Sequence, residues 1–69
     1  MAGTVYKKID VVGTSSMNLE DAIQNAVARS DETVRNMSWF EVDEIRGRIE
    51  EGGVTQWQVT VRIGFAVGE

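Results

Sequence analysis

Val54-Thr55-Gln56-Trp57-Gln58-Val59-Thr60-Val61-Arg62-Ile63-Gly64-Phe65-Ala66-Val67 is the stretch on which the fold turns. Trp57, Val59, Val61, Ile63, Phe65 and Val67 occupy alternate positions, with Gln56, Gln58, Thr60, Arg62, Gly64 and Ala66 between them. Side chains on a β-strand point alternately to its two faces, so this period of two describes a strand with one apolar and one largely polar face. No other part of the chain alternates so regularly. The pattern suits a central strand whose apolar face packs on a helix.

Upstream, Glu51-Gly52-Gly53 has hairpin-turn chemistry, and Trp39 to Glu50 reads as the preceding strand. Its phase slips: Phe40 and Val42 are even-numbered, whereas Ile45 and Ile49 are odd. A bulge near Asp43-Glu44 restores one apolar face. It also sets Arg46 and Arg48 on the face of Trp39. At the N-terminal end, Thr4 to Thr14 reads as a strand with Val5, Ile9 and Val11 on one face, Lys7 being an exception, and Tyr6, Lys8, Asp10 and Val12 on the other. Gly13-Thr14-Ser15-Ser16 supplies the turn. Asn18 is suited to cap a helix, with Glu20 and Asp21 placing negative charge in its first turn. Leu19, Ala22, Ile23, Ala26, Val27, Ser30, Val34 and Met37 follow helical spacing, which predicts a helix from Leu19 to Asn36, roughly 27 Å long at ~1.5 Å per residue. The sum is an α+β fold in the order β-α-β-β. One domain spans residues 1–69, with a three-stranded antiparallel sheet ordered 1-3-2 and one helix on one face.

One residue sits awkwardly in this scheme. In Ser38-Trp39-Phe40-Glu41-Val42, Phe40 and Val42 take the face assigned to the core, and Trp39 points the other way beside Glu41. One helix cannot cover both faces of a sheet. The uncovered face then carries Trp39, Arg46, Arg48, Gln56, Gln58, Thr60 and Arg62, too polar for a core and too aromatic for plain solvent. A large aromatic there implies a second subunit or a flat ligand. An indole platform, glutamine amides and planar guanidinium forks suit a heteroaromatic ligand with amide-like edges. A symmetric interface pairing two copies of Trp39 would leave a slot between them, so the two readings are compatible. Trp57 shares the helix-facing side and reads as core.

Composition narrows the function classes. A 69-residue chain buries only about 60% of the surface its unfolded form exposes, and small folds usually need reinforcement. The chain contains no cysteine and no histidine. Disulfides and the common zinc sites are therefore excluded, which leaves self-association. The same absences remove the usual general acid-base group and the thiol nucleophile. The carboxylates map mostly to the solvated helix face, and Glu50-Glu51 reads as a solvated hairpin run, so an enzyme is not expected. Seven basic against eleven acidic residues, a net charge of -4 and no Lys/Arg run argue against nucleic acid as a partner. No apolar run approaches the ~20 residues that span a bilayer, and Met1 to Lys8 lacks the apolar stretch of a signal peptide. A soluble cytoplasmic protein with no membrane partner is the expectation, although the lack of cysteine also fits secretion.

The motifs Val5-Tyr6-Lys7-Lys8-Ile9, Val12-Gly13-Thr14-Ser15, Ala22-Ile23, Thr33-Val34-Arg35, Trp39-Phe40-Glu41-Val42, Glu44-Ile45-Arg46-Gly47, Trp57-Gln58-Val59 and Gly64-Phe65, taken in order and spacing, resemble the dodecins, small flavin-binding proteins of twelve identical subunits. The resemblance covers essentially the whole chain. It implies a sheet partly wrapping one helix, a hollow homododecamer, and flavins bound in pairs between facing sheets at two-fold axes. It further implies that Trp39 stacks on the flavin, that Gln58 meets its edge, and that Arg46 lies near the ring and its phosphate tail. Some archaeal members carry an acidic residue where this chain has Arg48, and those favour uncharged flavins. A positive charge there suits FMN, with riboflavin or lumichrome as the alternatives. A calcium-binding branch lacks the tryptophan, so Trp39 argues against that branch. The function implied is flavin storage with photoprotection. The alternative is a structural, cofactor-free oligomeric module in which Trp39 only joins subunits.

Overall fold

The computed structural model describes residues 3–68. Of the span 1–69 read as one domain, Met1, Ala2 and Glu69 lie outside the described residues. Strand β1 runs Val5–Ser15, helix α1 Leu19–Ser30, strand β2 Met37–Glu50 and strand β3 Gly53–Val67. The strands form one antiparallel sheet in the order β1-β3-β2. The expected order and the central position of β3 both hold.

The turn into α1 is built by short polar side chains. Asn18 accepts a hydrogen bond from the Asp21 backbone N–H at 2.7 Å, the N-cap contact expected of it. The Ser15 hydroxyl donates to Asp21 Oδ2 at 2.7 Å and accepts from the Met17 N–H at 2.9 Å. Gly13 lets the helix come close, because a Cβ at that position would fall 2.0 Å from the Ala22 carbonyl oxygen and 2.8 Å from Ala26 Cβ. The core is correspondingly small: Ala22 and Ala26 pack on Val59, Val61 and Ile63, with Ile9, Val11, Leu19, Ile23 and Met37 around them.

The helix is shorter than its periodicity implied. It stops at Ser30 after 12 residues, about 18 Å, rather than continuing to Asn36. The following backbone bonds tighten, with the Glu32 N–H reaching the Arg29 carbonyl and the Thr33 N–H reaching that of Ser30, and Asn36 then takes a left-handed φ of 63°. Asn tolerates that conformation through its short polar side chain. The chain turns there into β2, where the Asn36 carbonyl accepts from the Ala66 N–H. Val34 and Met37, assigned to the helix by spacing, lie beyond it, and Met37 opens β2.

This shortening changes what is buried. Helix α1 packs on β1 and β3, and no Cα of it comes within 8 Å of β2. Phe40 and Val42 do share the helix-side face, opposite Ile63 and Val61, but they are exposed within the chain, as are Ile45 and Ile49. The expectation that the helix would bury them is corrected on this point. The molecule is a blade of 57 × 20 × 13 Å, and its radius of gyration of 14.4 Å exceeds the about 11 Å of a compact chain of this length.

Candidate functional site

The register shifts of β2 decide which way its side chains point. Met37 pairs with Phe65 and Trp39 with Gly64, leaving Ser38 as an extra residue. Without that bulge, Trp39 would stand opposite Ile63 on the core side. With it, the indole faces away from the helix. A second shift between Val42 and Glu44 is the bulge that the slipped alternation implied. Beyond it, Glu44 pairs with Thr60, Arg46 with Gln58 and Arg48 with Gln56. Trp39, Arg46, Arg48, Gln56, Gln58, Thr60 and Arg62 therefore share the face that the helix leaves uncovered.

Trp39 is held from several sides. Its benzo ring lies over Gly64. Tyr6 meets it edge-on, with centroids 4.9 Å apart and planes at 65°. Its Nε1–H donates to Glu41 Oε2 at 3.2 Å. The residue keeps 38% of its surface exposed. Glu41 in turn joins an ion network, with Lys8 Nζ at 3.6 Å and Arg62 Nη1 at 4.0 Å. Arg62 donates to Asp10 Oδ1 at 2.9 Å and lies 3.6 Å from Asp43. The hydrogen bond and charge of Asp10, then the charge of Asp43, raise the guanidinium's pKa above its ordinary value, so Arg62 stays cationic.

Gln58 and Arg46 form a second station. Arg46 Nε donates to Gln58 Oε1 at 3.0 Å, and Gln58 Nε2 donates to Gln56 Oε1 at 2.8 Å. An amide has two N–H donors and two acceptor lone pairs, so one donor and one acceptor of Gln58 have no partner among the described residues. The structure brings Gln58 and Arg46 together but does not bring Trp39 to them. Gln58 is six positions along β3 from Gly64, the partner of Trp39, or roughly 20 Å at ~3.4 Å per residue. A single planar ligand cannot touch both stations of one chain.

The sequence placed Tyr6 and Glu41 on the correct face without joining them to Trp39, and it gave Gly64 no role. The available signal was the glycine itself, since an isolated glycine inside a strand marks a close approach of another group. Among the described residues no cluster of three or more His, Cys, Asp or Glu could hold a metal ion. No helix among them is long and apolar enough to cross a membrane.

Comparison with known proteins places this arrangement. The family profile of dodecin matches residues 5–68. The dodecin of Thermus thermophilus is 54% identical over 67 residues, which cover 97% of each chain. A crystal structure of a Thermus thermophilus protein superposes with a TM-score of 0.92 at 54% identity, covering 97% of this chain and 98% of that one. The dodecin of Streptomyces coelicolor superposes with a TM-score of 0.92 at 43% identity, covering 100% and 99%. A calcium dodecin of Mycobacterium tuberculosis, described with a calcium-binding site, is more distant, at 28% identity and a TM-score of 0.80 over 93% and 91% of the two chains. With the fold, the β1-β3-β2 sheet and nearly the whole length in agreement, the chain belongs to the dodecin family.

Proposed function

We propose that this protein binds flavin, FMN in the first place with riboflavin or lumichrome as alternatives, and that it stores and shields the bound ligand without turning it over. The observation that carries the reading is the Trp39 indole, fixed on the open sheet face and 38% exposed. The free donor and acceptor of Gln58 match the amide-like edge of the flavin's pyrimidine ring. Arg46, already anchored on Gln58, offers positive charge for the ring edge or a phosphate.

The separation of the two stations supports a site shared between copies. Micromolar to nanomolar affinity needs about 8 to 12 kcal/mol. One aromatic stack gives about 0.5–1.5 kcal/mol beyond area burial, and one net hydrogen bond gives a similar amount. A slot between two chains adds burial of both ring faces, at about 25 cal/mol per Å² of apolar surface. It also lets Gln58 of one copy meet the ligand stacked on Trp39 of another. The bare apolar strip Phe40, Val42, Ile45 and Ile49 supplies the drive to associate, and the family resemblance supports a homododecamer as the assembly. The cytoplasm is the compartment proposed, with neither nucleic acid nor membrane as partner.

A bound flavin supplies a chromophore whose excited state accepts an electron. Trp39, stacked on that ring, would give up the electron and take it back, so that excitation would end without net chemistry. Adding the protein to free FMN should strongly quench its emission. Trp39→Ala should remove most of the quenching and binding, and persistent quenching in that variant would refute the assignment. The apolar strip of β2 also favours the second reading, a cofactor-free structural module. That reading expects a colourless assembly which Trp39→Ala breaks apart.

A further inference from the structure

Gly64 is the one residue in the middle of β3 without a side chain, and it is buried although it stands on the open face. Its φ is not in the left-handed region, so backbone freedom is not the reason for a glycine there. The reason is space. A Cβ at this position would lie 2.3 Å from Trp39 Cζ2, 2.4 Å from Cε2 and 2.7 Å from Cη2, well inside contact distance. Near-equal distances to three consecutive ring atoms place the face of the ring, not its rim, against the bare backbone. Tyr6 then closes one side edge-on, and Glu41 holds the indole N–H. Lys8 and Arg62 hold Glu41.

We propose that Gly64 is a positioning residue for the stacking platform: its bare backbone seats the Trp39 indole before any ligand arrives and leaves the opposite ring face free for a planar aromatic ligand. The seat makes the bound rotamer of the tryptophan its resting rotamer. Binding then does not have to order the side chain, a cost that weakens association wherever a large side chain starts mobile. Any residue with a Cβ at position 64 turns the indole off the sheet and removes the flat platform. The assignment rests on the stacking role proposed for Trp39, and its first measurement needs no flavin.

The test compares assembled wild-type protein with Gly64→Ala. Near-ultraviolet circular dichroism of the flavin-free proteins reads the Tyr6–Trp39 contact, and titration with FMN reads the platform. Gly64→Ala should lose the aromatic signal and bind FMN about tenfold or more weakly, with its assembled mass unchanged. Unchanged aromatic signal and FMN affinity would overturn the proposal. If the wild-type protein does not bind FMN, the flavin reading fails, and the circular dichroism alone decides whether the seat exists. A second comparison covers a variant that does not fold. Because the three atoms nearest the added Cβ all belong to the indole, Gly64→Ala introduced into Trp39→Ala should leave the thermal midpoint where Trp39→Ala has it. An equal loss of stability with and without the indole would show that glycine is needed for some other reason, and the proposal would fall.

Discussion

Val61 and Val42 stand opposite each other across the β2–β3 ladder on the same face of the sheet, yet Val61 is 0% exposed and Val42 is 42% exposed. Ile63 and Phe40, the next pair along, differ in the same way, at 1% and 49%. The difference does not lie in the strands, which carry equally apolar residues in matching phase. It lies above them. Helix α1 covers β1 and β3 and then ends, and the strip over β2 has no cover within the chain. Alternation thus reports which face a side chain takes and says nothing of whether anything lies on that face.

The comparison is tested most severely in the covered half. Ile63→Ala removes atoms from a site that is 1% exposed, and such truncations cost about 2–5 kcal/mol. Urea denaturation at fixed protein concentration should show this loss, the concentration being fixed because any self-association would add to apparent stability. A loss below ~1 kcal/mol would mean that the core under α1 is not what holds the fold together.

In the bare half the expected effect is on mass. Val42→Asp places a charge in the exposed strip and leaves the contacts of α1 untouched. If a second copy covers β2, burying that charge without a partner is strongly unfavourable. Native mass spectrometry should then find the assembly dissociated, with the freed chain either folded or unfolded by circular dichroism. Retention of the wild-type mass would show that the strip stays open to water and that association runs through another surface.

How far the sequence could be read follows from the same contrast. The regular alternation from Val54 to Val67 identified the central strand. The phase slip between Val42 and Ile45 announced the bulge at Asp43, because residues on both sides of it carried the pattern. The bulge at Ser38 left no such trace: it lies at the very start of β2, where no alternation precedes it to be broken. Yet that bulge puts Trp39 on Gly64 rather than opposite Ile63. Val34 and Met37 extended the helical spacing by coincidence, and the tight turn after Ser30 and the left-handed Asn36 overrode it. Trp39, Gln58 and Arg46 could be assigned to one face from their phase. The roughly 20 Å between two of them could not, since it depends on the full register of β2 against β3.

The smallest of these effects concerns the edge of the helix itself. Asn18 satisfies the Asp21 N–H, and Ser15 holds the Asp21 carboxylate from the preceding strand, so the first turn of α1 is capped by one short bond and tied to the end of β1 by another. Asn18→Ala removes the first of these and should cost about 1 kcal/mol. The second bond remains, so the helix should fray rather than detach, and Ala22, near the frayed end, should gain exposure before Ala26. Amide hydrogen exchange should therefore speed up from Leu19 to Ile23 and stay slow across β3. Equal acceleration throughout β3 would mean that the helix and the sheet unfold as one unit, and the covered half would then owe its stability to the whole of α1 rather than to the four-residue rhythm of Ala22, Ala26 and Ser30 that rests on the sheet.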